Sequence, residues 1–166
     1  WSTYAKRLAR LGYLVIAFDF RGYGDSQTRG GRAAFRLAAD VAAATRAARA
    51  RGAQKVFIVG ASMGGTAVLA AAANIRPNVS GVVSLSGPAF FSSLDALKLA
   101  PRLTVPALYV VGQLDSDFVP DAQKLYDVAA SADKAIHVLP IAQHGVDLVR
   151  SDARARALVE DFIRSH

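Results

Sequence analysis

The feature that most constrains the fold is a series of five short apolar runs rich in β-branched and aromatic residues. Most of these runs are separated by segments with helix-forming composition, and most end in a polar or glycine-containing loop. The predicted strands are 13–18, 56–59, 81–85, 107–111 and 135–139. A helix between two strands returns the chain to the same end of the sheet, so strands joined in this way run parallel. The sequence therefore predicts one α/β domain over residues 1–166, with a mostly parallel sheet and helices on both faces.

The first run, Tyr13–Phe18, is apolar throughout, which is typical of a strand buried on both faces. Apolar residues at helical spacing precede it, and Gly12 is expected to end that first helix. Further helices are predicted over 33–51, 66–74, 121–132 and 146–163. Residues 88–103 are predicted to form a short connection that contains a little helix.

The composition excludes several classes of protein. Of the 166 residues 52% are hydrophobic, which excludes a disordered chain. The absence of cysteine excludes a disulfide-stapled domain and thiolate metal sites. A membrane span needs about 18 consecutive apolar residues. The longest apolar run, Thr66–Ile75, is shorter and rich in alanine, so it is predicted to be a buried helix rather than a membrane span.

The net charge of +7 raises the alternative of nucleic-acid binding, because a focused basic patch attracts a polyanion. The 20 lysines and arginines are instead spread along the chain, and aromatic residues are not interleaved among the arginines. This distribution favours solvated helix faces, and we expect no specific nucleic-acid partner.

Ser62 is the first candidate site residue. It lies in Gly60-Ala-Ser-Met-Gly64, directly after a predicted buried strand and directly before a predicted helix. A serine on such a tight turn is held with its hydroxyl projecting, and glycines two residues to either side avoid collisions with the strand and the helix. The helix N-terminus also favours developing negative charge. The pattern predicts a nucleophile, the alternative being a serine that only caps the helix.

His144 is the candidate general base, because it lies in the loop after the fifth predicted strand. In a parallel sheet that loop lies at the same edge as the loop that carries Ser62. A general base must reach the hydroxyl that it deprotonates, which this position permits. Of the other histidines, His137 is predicted to be an ordinary sheet residue, and His166 is the last residue of the chain.

An acid that orients the histidine is expected after the fourth predicted strand, and both Asp115 and Asp117 fit. Asp115 is favoured because it lies closer to the strand end, three residues after Gly112. The other aspartate is expected to stabilise the turn or cap the next helix.

The order Ser62, Asp115, His144 resembles that of the triad in the α/β-hydrolase superfamily. Four stretches carry the resemblance. They are Gly12–Ser26, similar to that superfamily's fourth strand and the loop after it; Gly60–Gly65, similar to its nucleophile elbow; Gly112–Pro120, similar to its acid loop; and His144–Gly145, similar to its histidine loop. The resemblance covers nearly the whole chain and implies the fold of that superfamily.

The resemblance also implies elements that this sequence does not contain. Members of the superfamily begin with about three further strands, and a loop after the third supplies one of two amides that bind the oxyanion. The other amide belongs to the residue after the nucleophile, here Met63. Because the third strand of the superfamily lies between the fourth and the fifth, the sheet would be broken in its middle. We therefore expect either an N-terminally truncated part of a longer hydrolase or a rearranged sheet.

The reaction that the resemblance implies is hydrolysis of a carboxylic ester through an acyl-enzyme, as in a serine esterase, without a metal or an organic cofactor. The expected substrate is a small-molecule ester. The roughly 20 residues between Leu85 and Ala107 are too few for a large lid, and Phe90 and Phe91 are candidates for an acyl pocket or for the core. The alternatives are an inactive or non-catalytic chain on the same fold, and haloperoxidase or transferase chemistry. We expect a cytoplasmic protein with no membrane span, and the sequence does not indicate its oligomeric state.

Overall fold

The structure is a computed structural model, and it describes residues 1–27 and 36–166. Within these ranges the helices are α1 (Ser2–Arg10), α2 (Leu37–Ala50), α3 (Met63–Ala72), α4 (Ala96–Leu99), α5 (Val119–Val128), α6 (Val146–Ser151) and α7 (Ala153–Ser165). The strands are β1 (Phe57–Ala61), β2 (Gly81–Leu85), β3 (Phe90–Phe91), β4 (Leu94–Asp95), β5 (Ala107–Gly112) and β6 (Lys134–Leu139). None of the helices in the described ranges is long and apolar enough to cross a lipid bilayer.

Four of the strands form one sheet, in the order β1-β2-β5-β6, and every neighbouring pair is parallel. The short strands β3 and β4 form a separate antiparallel hairpin. Since the four long strands run in the same direction, the loops after β1, β5 and β6 lie at one edge of the sheet. These three loops contain the candidate residues Ser62, Asp115 and His144, so the topology brings them to the same edge.

Apolar side chains cover both faces of the sheet, because successive residues of a strand point to opposite faces. In β2, Val82 belongs to one core cluster with residues of α2, α3 and α5. Its neighbour Val83 belongs to a second cluster with residues of α1, α6 and α7. The predicted α/β fold, a parallel sheet with helices on both faces, is confirmed.

The predicted helices are confirmed in position, but the helix predicted over 121–132 is shorter, ending at Val128, and the C-terminal helix is divided. The alanine-rich run is the buried helix α3, in which every residue from Gly64 to Ala72 is buried. The helix predicted over 146–163 is two helices, because Asp152 accepts hydrogen bonds from the amides of Arg154 and Ala155 and so begins α7. These bonds, above all that from Ala155, hold the pKa of the Asp152 carboxyl below its ordinary value. The predicted helix 33–51 corresponds to α2, and residues 33–35 lie outside the described residues.

The prediction of a strand over residues 13–18 is wrong. In the described structure this segment pairs with no strand, and none of its six side chains is buried; Leu14 is 54% exposed. A strand is stable only where neighbours bind its backbone groups and cover its side chains. A cavity of about 410 Å³ lies between this segment, the inner side of α2 and the outer edge of β1. Within the described residues, the edge of β1 that faces this segment is therefore unpaired.

Helix α1, which precedes the unpaired segment, is held by α6 and α7 rather than by the sheet edge. Its buried residues Tyr4 and Leu8 belong to the core cluster of those helices. Arg7 donates hydrogen bonds to both carboxylate oxygens of Glu160, at 2.6 and 3.0 Å, and thereby lowers the pKa of that carboxyl. An exposed pair of this kind contributes little to stability, so the apolar contacts provide most of the attachment.

Candidate active site

Ser62 lies between the last residue of β1 and the first residue of α3, as predicted. Its backbone has φ of 51° and ψ of −124°, a conformation that L-residues rarely adopt and that costs about 1–3 kcal/mol. The Ser62 amide donates a hydrogen bond to the Leu85 carbonyl at 2.9 Å, while the Ser62 carbonyl accepts one from Gly65 at 2.7 Å. The neighbouring strand and the helix therefore hold this strained turn from both sides.

The strand-to-helix turn requires glycine at positions 60 and 65, whereas the sequence predicts the requirement at positions 60 and 64. A β-carbon on Gly60 would overlap the carbonyl group of Gly64 and lie 2.9 Å from the Gly65 nitrogen. At Gly64 a β-carbon would meet only a ring carbon of Phe20 at 3.7 Å, an ordinary contact, so the expected collision there is wrong. The second close approach is at Gly65, where a β-carbon would lie 2.7 Å from Gly87 Cα.

The His144 side chain lies against Asp115. The His144 Nδ1 and Asp115 Oδ2 atoms are 2.8 Å apart, which is the distance of a charge-assisted hydrogen bond. The carboxylate side chain is 11% exposed and the imidazole 39% exposed. Asp117 is exposed and makes no hydrogen bond or ion pair with the rest of the described chain. Of the two candidate acids, the geometry brings only Asp115 to the histidine.

With Asp115 as acceptor, Nδ1 of the neutral imidazole carries the proton and Nε2 is left as the basic nitrogen. Nε2 has no hydrogen-bond partner within residues 1–27 and 36–166. A hydrogen bond between this nitrogen and Ser62 Oγ is likewise absent from the described structure. Such bonds are often long before substrate is bound, and the arrangement remains compatible with proton transfer.

Backbone hydrogen bonds beyond the strand ends join the Asp115 loop to the His144 loop. The amide of Gln113 donates to the Leu139 carbonyl at 2.6 Å, and the amide of Leu114 donates to the Ile141 carbonyl at 3.0 Å. A β-carbon on Gly112 would lie 2.7 Å from that Ile141 oxygen, so only glycine permits this approach. The acid and the histidine are therefore carried by two loops that are fastened to each other.

Gly145 brings the His144 loop onto the turn that holds Ser62. It has φ of +58°, which glycine adopts readily, and a β-carbon there would lie 3.7 Å from the Ser62 Cβ and Ser62 nitrogen. His144 directly precedes Gly145, so its side chain starts from backbone packed beside the Ser62 turn. The sequence analysis does not predict this contact of Gly145, although the position of a glycine directly after the candidate histidine indicates a tight turn there.

The Met63 amide is available for a ligand at the same turn. It is the first amide of α3, and the first amides of a helix have no acceptor within that helix. The positive end of the helix dipole lies at this point and favours an anion beside Ser62.

The other two histidines lie away from this edge. His137 is half-buried in the edge strand β6. The His166 side chain contacts Asp133, with His166 Nε2 2.9 Å from Asp133 Oδ2, just before the start of β6 and so at the opposite end of that strand. The structure pairs Asp115 with His144 and packs the His144 loop beside the turn that carries Ser62 and the Met63 amide. Asp117, His137 and His166 lie outside this arrangement.

Comparison with known proteins supports this description of the fold. An esterase from Pyrococcus furiosus superimposes with a TM-score of 0.81 at 18% identity, over 95% of this chain and 73% of that one. A monoacylglycerol lipase from Paleococcus ferrophilus gives 0.76 at 20% identity, over 99% and 90% of the two chains. The esterase domain of a Rhodothermus marinus protein gives 0.68 at 23% identity, over 95% and 74%. Among curated protein sequences, none matches the chain.

The family model for the alpha/beta hydrolase fold matches residues 1–109, about two thirds of the sequence. This stretch includes the Ser62 turn and ends within β5, before Asp115 and His144. The chain belongs to the alpha/beta hydrolase fold family.

Proposed function

We propose that this protein is a serine hydrolase that cleaves a carboxylic ester of a small molecule through an acyl-enzyme intermediate. In this proposal Ser62 is the nucleophile, His144 the general base and Asp115 the acid that orients the histidine. The observation that carries it is the packing of Gly145 against the strained Ser62 turn, beside an imidazole whose Nδ1 is bound to Asp115. Esterases and lipases among the structural relatives support ester hydrolysis in general.

The first half of the reaction forms the acyl-enzyme. His144 Nε2 takes the Ser62 proton as Ser62 Oγ attacks the carbonyl carbon, and the carbonyl electron pair moves to the oxygen. The Met63 amide donates a hydrogen bond to this oxyanion. The oxyanion then re-forms the carbonyl, and the bond to the alcohol oxygen breaks as the imidazolium donates its proton to that oxygen. Asp115 stabilises the imidazolium while it exists.

The second half releases the acid. His144 Nε2 takes a proton from water, and the resulting hydroxide attacks the acyl carbon to form a second oxyanion at the Met63 amide. Collapse of this intermediate breaks the bond to Ser62 Oγ, which recovers its proton from the imidazolium.

The connection between β2 and β5 consists of the β3–β4 hairpin, α4 and a 3-10 turn (Ala100–Arg102), so this part of the edge carries only a light cover.

One observation favours the alternative of a non-catalytic chain. The cavity beside β1 is lined in part by Gly60, Ala61 and Gly64, so the strand that supports Ser62 has an unpaired edge. If this edge allows the turn to relax, Ser62 loses its orientation and its activation. Labelling of the serine separates this alternative from the proposal.

Treatment with a fluorophosphonate should therefore modify Ser62 and no other serine, because only a serine beside a general base is activated. Intact mass and peptide mapping measure the adduct in the wild type and in the Ser62→Ala and Ser92→Ala variants. Ser92 is a matched control, because it is exposed and also has a positive φ, 56°, but lies in the β3–β4 hairpin. An adduct that persists in Ser62→Ala, or equal labelling of Ser92, would contradict the proposal. No adduct on the wild type would favour the non-catalytic alternative.

The two aspartates of the acid loop provide a pair of isosteric substitutions with the same change in charge. Asp115→Asn should lower kcat for a short-chain aryl ester by about 10³- to 10⁴-fold, because the amide favours the wrong tautomer of His144. Asp117→Asn should change kcat by less than about twofold, because this exposed side chain does not contact the histidine. Steady-state kinetics at one pH measure both. Equal, mild losses would show that the acid is misassigned.

A further inference from the structure

The ring of Phe118 lies against the imidazole of His144. The two ring centroids are 4.3 Å apart and the planes are tilted by 48°, so the rings are in direct contact. Phe118 is half-buried and directly precedes α5. Its amide donates a hydrogen bond to the Asp115 carbonyl at 3.0 Å, which closes a four-residue turn. One turn therefore presents a carboxylate to the edge of the imidazole and an aromatic ring to its face.

The two contacts restrict different motions of the imidazole. The bond from Nδ1 to Asp115 opposes rotation of the ring about the Cβ–Cγ bond, but a single hydrogen bond to a partly exposed imidazole breaks and re-forms readily. While it is broken the ring is free to turn about Cβ–Cγ, and Nε2 loses its orientation. The His144 side chain is 39% exposed, so part of its surface borders open space. The packed ring of Phe118 blocks one face and leaves fewer orientations for Nε2.

We propose that Phe118 is a positioning residue that holds the His144 imidazole at the angle from which Nε2 reaches Ser62. This inference rests on the proposed function, because it assigns Phe118 a role in the same proton transfer. Phe118 acts through the histidine and takes no part in bond making or breaking. Its side chain can be exchanged without changing any charge in the site.

The direct test measures the mobility of the imidazole by NMR with histidine labelled at Cε1. The His144 signal is identified by its loss in a His144→Gln variant. In the wild type we expect an order parameter near that of rigid backbone, about 0.85, and in Phe118→Leu a value below about 0.6. Phe118→Tyr keeps the ring and should retain the wild-type value. Leu114→Ala, an exposed apolar residue in the same loop, is the matched control and should also retain it.

Kinetics supply the second readout, with acetyl and octanoyl esters of one aryl alcohol as substrates. Phe118→Leu should lower kcat by about 10- to 100-fold for both esters with KM nearly unchanged, and Phe118→Tyr should restore most of the loss. The thermal midpoint of each variant shows whether it is folded. A loss that appears mainly in KM and grows with acyl length would assign Phe118 to substrate binding instead and overturn the inference.

Failure of this inference is distinguishable from failure of the proposed function. Equal order parameters in the wild type and Phe118→Leu would overturn the positioning role, whatever the activity. Absence of a fluorophosphonate adduct on Ser62 would overturn the proposed function, whatever the order parameters. A rigid imidazole that becomes mobile in Phe118→Leu, together with labelling of Ser62, would support both.

Discussion

Replacing Ser62 with alanine should lower kcat for a short-chain aryl ester by about 10⁵-fold or more, because in the proposed mechanism the Ser62 hydroxyl forms the acyl-enzyme. The same loss is expected for His144→Ala, because without a base the serine keeps its proton. The double variant should be no slower than either single variant, since the two residues act as one unit. Steady-state kinetics with protein purified away from host esterases measure the three losses.

The loss of kcat in Ser62→Ala supports the proposed nucleophile only if the variant remains folded. Ser62 is only partly buried, so its hydroxyl contributes little to the core, and the thermal midpoint of Ser62→Ala should remain close to that of the wild type. Ser92→Ala is the control for removal of a serine hydroxyl elsewhere on the chain, and it should retain full turnover. If Ser62→Ala kept more than about one hundredth of the wild-type kcat, the proposed nucleophile would be wrong.

The arrangement of the candidate site could be predicted from short local sequence motifs and from the parallel order of the strands. Gly60, Ser62 and the helix that follows are neighbours in the sequence, so one short stretch is sufficient to predict the strand-to-helix turn. The parallel order of the strands then brings the Asp115 and His144 loops to the same edge, whatever the details of packing. For this reason the loops that the structure gathers at this edge are those in which the sequence predicts site residues, and the chemical roles of these residues stay predictions.

The unpaired segment shows where such reasoning fails. Residues 13–18 have the β-branched and aromatic composition of a buried strand, but strand formation depends on the neighbours that cover it. Those neighbours are set by contacts distant in sequence, and no local pattern reports whether they exist. The exposed side chain of Leu14 and the cavity beside β1 are the structural consequence.

Close approaches between loops also could not be predicted from the sequence. The glycine pattern around Ser62 suggested that Gly64 avoids a collision, whereas the tight contact is at Gly65 against Gly87, from the loop after β2. Gly112 has the same character, because the Ile141 and Gln143 oxygens that it approaches belong to another loop. A glycine leaves room for a close approach, but the three-dimensional structure is needed to say whether one occurs and which atoms make it.

Gly60 and Gly64 provide a matched pair of substitutions, because a β-carbon would overlap backbone atoms at the first position and make only an ordinary contact at the second. Gly60→Ala should lower the free energy of unfolding by about 3 kcal/mol or more, because the new methyl group would overlap the Gly64 carbonyl. The obstructing atoms are backbone atoms of the first turn of α3, so no side-chain rotation relieves the overlap. Gly64→Ala introduces the same methyl group where only Phe20 lies near, at 3.7 Å. It should leave stability unchanged or raise it by up to about 1 kcal/mol, as alanine favours helix over glycine.

Urea denaturation of the wild type and both variants measures this difference, with equal slopes required for the comparison to hold. Turnover should follow the same order, because displacement of the first turn of α3 by Gly60→Ala moves the Met63 amide and Ser62 together. A Gly60→Ala protein as stable as Gly64→Ala would mean that the turn can open towards the cavity beside β1. In that case the strain at Ser62 would not be held by the strand and the helix, and the geometric basis of the proposed nucleophile would be lost.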